Sequence, residues 1–418
     1  AHAREQAPRV GGHRQQVATS FAGKQRPPHT TGPSPTHEVG RGRWHGGMTT
    51  IPRVRDLPDL LTVVPLLAGF TPTDAVVLVC PTPEGRVALQ RVALPPPDHW
   101  SHAHLDAREL VQSVLPALLH ADLRRLTLIG YLSDPMDQDY VGALLHQSAD
   151  WLAETGIDVM GVALVCEGSW WRPDCPCEDP ECGEPQPVPS LHESAAATAL
   201  IAEGAVVHES PEALLAPWVE GEGAQLDPQE LAAATKRWTG RKGNTRLRKE
   251  SLEQWRRVVH EPAAEFGPPE LAAVLWAARS VPVRDALIAW LTPGGMPLEA
   301  LDPDARAAVE QALGEPASVV GEDRWTGWAV TQNLRTLTAV LPATCAAPVA
   351  CLAGLWAWWH GDGIVARFLL ERALDAEPGH TLSGLLLRLV HHGIPMEGSP
   401  ARRVGAGCDA LDTNGRLR

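Results

Sequence analysis

The period of the hydrophobic positions changes near residue 220. Between Leu57 and His208, short apolar runs alternate with longer stretches of helical spacing; beyond Glu220 only helical spacing remains. Ala75–Cys80 (AVVLVC) is a continuous apolar run, the pattern of a strand buried on both faces. Arg86–Ala93 alternates and predicts its neighbour, with Pro83, Glu84 and Gly85 as the turn. Leu126–Tyr131 and Ile157–Cys166 predict two further strands, and Ala205–His208 a short last one. Leu105–His120, Gln138–Glu154 and Ser190–Glu203 read as the helices between them. Leu57–Ala68 is a helix ahead of the first strand, which Pro65 is expected to kink or end. This alternation predicts an α/β fold with a mainly parallel sheet, flanking helices and right-handed crossovers.

The helical segments that follow are Pro228–Trp238, Leu247–Val259, Glu270–Arg279, Val283–Trp290, Asp302–Leu313, Trp328–Leu341 and further pairs up to His391. They predict an all-α domain over 226–397 after an α/β domain over 48–222. Within it, Ala347–Pro378 matches a tetratricopeptide repeat without a gap: Gly354, Gly361, Asp362, Ala366, Ala373 and Pro378 fall at the motif's places. The expected element is a tetratricopeptide-like helical hairpin that serves protein contacts. One repeat gives no extended superhelix. Thr336–Trp359 carries no charge and is long enough to span a bilayer. Its Pro342, Pro348 and Ala-, Thr- and Cys-rich composition predict a buried helix and no membrane partner.

Residues 1–47 hold hardly an aliphatic cluster and cannot offset the entropy of ordering, so disorder is expected there, as after Gly398. Met48 stands where the globular pattern begins, so an upstream extension of the reading frame is the expectation for the leader. Gly40–Gly47 has a phosphate-loop-like glycine spacing, but no strand precedes it.

Composition narrows the class. A hydrophobic share of 44% and a charged share of 21% are those of a globular protein, and a net charge of −14 argues against global polyanion binding. Arginine outnumbers lysine 32 to 4, and 15 Trp stand against 4 Phe and 2 Tyr. Eight cysteines over this length make no disulfide scaffold, and the start has no signal pattern, so reduced thiols and a cytoplasmic location are expected. HExxH, GxSxG and glycine-fingerprint motifs are absent from the globular part, and no reaction is specified.

Three stretches carry candidate chemistry. Ligands of parallel sheets sit beyond the carboxyl ends of the strands, which singles out Ser133, Asp134 and Glu167, with Trp170 and Trp171 as a lid. Ser-Asp-Pro is equally a helix-cap signal. Cys175, Cys177 and Cys182 offer three corners of a zinc tetrahedron, with His192, Cys166 or Cys80 as the fourth; plain turn cysteines or a redox pair are the alternatives. Cys177 and Cys182 are expected to face each other across Glu178–Glu181. Finally, Lys236 to Arg257 has nine basic residues against Glu250 and Glu253, a net of +7. Lys236, Arg237, Arg241, Lys242, Arg246, Arg248 and Lys249 interleave there with Trp238, a pattern suited to nucleic acid or to docking on the acidic α/β half.

Asp56–Val79, the Trp170-Trp171 pair, the Cys-x-Asp-Pro-x-Cys of 177–182 and the 361–378 segment together resemble the actinobacterial family known as domain of unknown function 4192. The resemblance covers roughly residues 50–397 and implies a bacterial, cytoplasmic protein, with no particular reaction. In that family the cysteine loop ends in two adjacent cysteines. Here Gly183 follows Cys182 and Cys175 lies upstream, which weighs against three sulfur ligands. The reading is a ligand- or metal-binding α/β domain joined to a helical interaction domain. Its rivals are a metal-dependent hydrolase or transferase with Asp134 or Glu167 as base, and a nucleic-acid-associated protein.

Overall fold

The computed structural model describes residues 54–81, 87–100, 102–173, 183–202, 204–220, 226–238, 245–314, 324–392, 394 and 396. Helix α1 (Leu57–Ala68) starts at Asp56, whose carboxylate accepts the Asp59 N–H at 2.9 Å. Pro65 does not end it: the helix runs on to Ala68 and stops at Gly69. Burying Leu66 and Ala68 helps offset the roughly 3 kcal/mol that an interior proline costs.

The sheet has the order β2 (Val87–Ala93), β1 (Ala75–Pro81), β3 (Arg125–Leu132), β4 (Asp158–Cys166), β5 (Ser169–Trp171) and β6 (Gln186–Pro187). It is mixed, which corrects the expected mainly parallel sheet. Only β3 and β4 pair in parallel; β1 is antiparallel to both neighbours, and β5 and β6 pair antiparallel. The cause is where β1 lies. Strands β2 and β3, joined through α2 (Ala103–His120), run in the same direction, but β1 sits between them. Buried runs report burial on two faces and carry no strand direction. Ala205–His208 contributes no strand, only an isolated bridge from His208 to Phe70.

Both faces of the sheet are covered. Val76, Leu78 and Leu128 pack against α2 and α3 (Gln138–Glu154) through Val111, Val114, Val141 and Leu145. Val77, Val79, Ile129 and Tyr131 face Leu57, Leu60, Leu61 and Val64 of α1. Helix α4 (Ala195–Ala202) lies beside α1, with Ala196 and Ala197 against Val63 and Leu66.

From Pro228 on, every described element is a helix: α6 (Pro228–Lys236), α7 (Thr245–His260), α8 (Pro268–Arg279), α9 (Val281–Leu291), α10 (Pro303–Leu313), α11 (Arg324–Val340), α12 (Ala347–Trp359), α13 (Gly363–Ala376) and α14 (Thr381–His391), with single 3-10 turns between some of them. The tryptophan bias has its explanation here. Trp255, Trp290 and Trp356 are fully buried, and each indole N–H finds an acceptor: Val274 O at 3.2 Å, Gly314 O at 2.8 Å and Thr331 Oγ1 at 3.0 Å. Asn333 ties α11 to the end of α7, its amide donating to Val258 O at 2.9 Å and Glu261 O at 2.7 Å while its Oδ1 accepts from Ala264 N. Those carbonyls have no partner within the helix, so the buried amide supplies one.

The preceding helix α5 (Pro211–Leu215) and the turn Ala216–Trp218 pack on this helical core, with Trp218 buried in it. The uncharged stretch 336–359 is broken into the end of α11, a turn at Ala343–Cys345, and α12. Among the described residues no helix is long and apolar enough to cross a membrane. All described elements belong to the compact unit Thr50–Arg418.

Candidate functional site

The parallel register pairs Tyr131 with Val165 and Leu132 with Cys166, so the loops after β3 and β4 leave the sheet at one edge. Because β1 is antiparallel to β3 and Ala75 pairs with Tyr131, the residue before β1 arrives at that same edge. It is Asp74, held at φ 42°, a left-handed conformation that short polar side chains tolerate. The Asp74 carboxylate accepts the Ser133 N–H at 2.9 Å and the Ser133 hydroxyl at 2.8 and 2.9 Å. Sequence reasoning missed Asp74. Its only signal was a single acid directly ahead of the AVVLVC run.

Asp134 caps the 3-10 turn Pro135–Asp137, accepting from Met136 N at 2.9 Å. Glu167 and Gly168 form the two-residue turn between β4 and β5, at φ 48° and 77°. Positive φ at both central positions is what a type I′ hairpin requires, and glycine supplies the second at no steric cost. Ser133, Asp134 and Glu167 are all exposed.

The edge is mainly acidic, with a cation beside it: Arg91 donates to Thr73 O at 3.3 Å and interacts with the Asp74 carboxylate. Asp137 has its pKa raised by desolvation, then by the charges of Asp134 and Asp74. The Cys166 thiol is pushed up by burial, then by Glu167, Asp134 and Asp74. Asp134 and Asp74 thus bear on both groups, after burial.

Trp170 and Trp171 are not at this surface. They are 7% and 8% exposed and fill opposite faces of the sheet, Trp170 with the α1 side and Trp171 with the α2–α3 side. Strand alternation turns adjacent residues to opposite faces, so two neighbouring tryptophans cannot form one lid while they belong to β5.

Cys175, Cys177 and Cys182 lie outside the described residues, as does the expected approach of Cys177 to Cys182. The stem of their loop is described. Val188 N–H donates to Gly168 O at 2.8 Å, closing β5 against β6, and His146 Nε2 is 3.0 Å from Pro173 O on the outgoing side. Among the proposed fourth ligands, Cys80 is buried near the opposite end of β1, its thiol pushed up to about 12 by burial. Cys166 is buried at the loop's own edge, and His192 is exposed. Among the described residues no group of three or more His, Cys, Asp or Glu side chains is arranged to hold a metal ion.

The basic segment splits between α6 and α7, and Arg241 and Lys242 lie outside the described residues. Much of its charge is met locally. Glu250 pairs with Arg237 at 2.6 Å and Arg246 at 2.8 Å, and Arg256 and Arg257 pair with Glu253 and Glu261. Trp238 and Trp255 are buried and unavailable for stacking on bases. Lys236 stands in the last turn of α6, and Arg248 and Lys249 in α7.

A mixed sheet covered on both faces, an acidic loop edge beyond its one parallel strand pair, and a tryptophan-anchored helical array define this class of protein. The chain belongs to the family described as domain of unknown function DUF4192, which matches residues 58–397. No curated protein and no solved structure matches the chain.

Proposed function

We propose that the protein is a binding module in two parts: an α/β domain that takes a small cation at the acidic edge, held by the charge of the edge and not by a preformed set of metal ligands among the described residues, and a helical domain that contacts another protein. The observation that carries the first part is geometric: Asp74, Asp134 and Glu167 come to one edge of the sheet on separate loops, beside Asp137 and Cys166, whose pKa values are raised first by burial and then by these charges. Asp74, Asp134 and Glu167 supply that charge, and a cation between the loops would relieve it. Asp74 is also held at positive φ, with its carboxylate fixed by the Ser133 N–H and hydroxyl.

Support for the second part is the hairpin of α12 and α13. A Cβ on Gly354 would lie 3.0 Å from Leu370 Cγ and 3.2 Å from Ala366 O, so the two helices approach closely at this glycine and a side chain there would have to push its neighbours aside. That is the use a tetratricopeptide motif makes of its small residues. The thiols of Cys80, Cys166, Cys345 and Cys351 are free, in keeping with a reducing compartment such as the cytoplasm.

The test is calorimetric titration of the full chain with Mg²⁺, Mn²⁺, Zn²⁺ and spermidine. Saturable binding of at least one is expected, weakened about tenfold or more by Asp134→Asn, which keeps a capping side chain and removes the charge. No binding of any of the four at millimolar concentration, or equal binding by the variant, rejects the cation site.

A further inference from the structure

We propose a second ligand site, for a small anion with an aliphatic body, in the helical region between α6, the end of α8 and the turn Ala343–Cys345. The cavity there holds about 250 Å³. That is below the roughly 300–1,000 Å³ typical of drug-sized ligands, so its occupant is small. Pro228, Leu231, Ala232 and Pro342 give it apolar walls, while Lys236 and Arg279 line it with positive charge and no carboxylate does. An apolar chain ending in an anionic head matches both features at once.

Two polar groups of the wall already have partners, and Thr344 and Lys236 join Arg279 in its polar lining. Thr235 donates its hydroxyl to Leu231 O at 2.7 Å, and the Cys345 thiol donates to Pro342 O at 3.4 Å. Arg279, the last residue of α8, makes no ion pair or hydrogen bond with a described residue. Its charge nonetheless reaches into the cavity: burial raises the pKa of the half-buried Cys345 thiol, and Arg279 opposes that rise. A carboxylate entering beside Cys345 would meet a guanidinium whose fork suits it. This site is separate from the acidic edge and has the opposite charge preference.

Octanoate is the probe and octanol its uncharged control. Titration calorimetry reads affinity, and alkylation of Cys345, followed by mass spectrometry on its peptide, reads location. Octanoate is expected to bind saturably and to slow alkylation of Cys345. Octanol should bind about tenfold more weakly or worse, and Arg279→Gln should cost octanoate a similar factor, the loss expected for one charged hydrogen-bonding partner. Ala232→Trp, at an exposed position of α6, should fill the cavity and abolish binding without disturbing the core. Absence of octanoate binding overturns the proposal, as does binding that leaves Cys345 unprotected or is unchanged in the Arg279 variant.

Discussion

The Arg335 guanidinium lies over the Trp218 indole, 5.2 Å from the ring centroid, while Arg372 donates to the Trp218 carbonyl at 2.8 Å. Two helices thus hold one residue at the point where the chain leaves the α/β region. Trp218 is 2% exposed and belongs to the helical core, although its turn directly follows the short helix after the last α/β residues. Burial lowers the pKa of Arg335, and the charge of Asp362 opposes that shift.

Trp218→Ala is therefore expected to cost about 3–5 kcal/mol, the range for deleting a large buried aromatic, with the cation–π contact included. Urea unfolding of the variant against wild type measures this. A loss under about 1 kcal/mol would show that the turn Ala216–Trp218 is not an anchor.

That anchor was invisible in the sequence, because nothing in the local pattern of Ala-Pro-Trp says which core will receive the indole. Elements whose own residues settle their burial were legible. The helix Gln138–Glu154 appears with the expected bounds, the Ala75–Cys80 and Leu126–Tyr131 runs are strands, and the Ile157–Cys166 run is a strand from Asp158 on. Strand direction was not legible: apolar runs look the same whether a strand is parallel or antiparallel, so the insertion of β1 between β2 and β3 went unseen. At the candidate site, the shared edge of Ser133 and Glu167 followed from the one pair that is parallel. Asp74 reached that edge only through the antiparallel strand that periodicity could not orient.

Tyr131 is 3% exposed, and its hydroxyl has no hydrogen-bond partner among the described residues. Burial raises its pKa, so it stays protonated. An unsatisfied buried hydroxyl costs about 1–3 kcal/mol of desolvation that removal recovers. Tyr131→Phe is expected to leave thermal stability unchanged or to raise it. A clear drop in melting temperature would reveal a partner for that hydroxyl.

His380 caps α14, its Nδ1 accepting the Ser383 N–H at 3.3 Å and lying 2.8 Å from Ser383 Oγ. Only the neutral ring can accept there, and a charged one would oppose the helix dipole. Burial lowers its pKa below the usual 6.5; Glu377 opposes that shift and Arg284 adds to it. A depressed folded pKa contributes stability that is complete above the unfolded value and is lost as pH falls through the folded one. Unfolding free energy should decline as pH drops below about 6.5, and His380→Asn, a cap that does not titrate, should remove up to about 1 kcal/mol of that decline. Matching pH profiles for wild type and variant would contradict the cap's role.

The segment Lys236–Arg257 is expected not to bind nucleic acid, despite its net charge. Each exposed ion pair contributes only about 0–1 kcal/mol to stability, but collectively the pairs reduce the field a phosphate backbone would meet. Arg237, Arg246, Arg256 and Arg257 each face a carboxylate at 3.0 Å or less, and both tryptophans of the segment are buried. Arg248 and Lys249 make no ion pair with a described residue. On α7 that leaves two cations outside ion pairs, and salt-sensitive affinity grows with the number of phosphates neutralised. Titration of the full chain with single- and double-stranded oligonucleotides at two salt concentrations should therefore show no binding even at the lower one. Binding that falls steeply with salt, and that disappears when Arg246, Arg248 and Lys249 are replaced by Glu, would instead make this helix a phosphate contact.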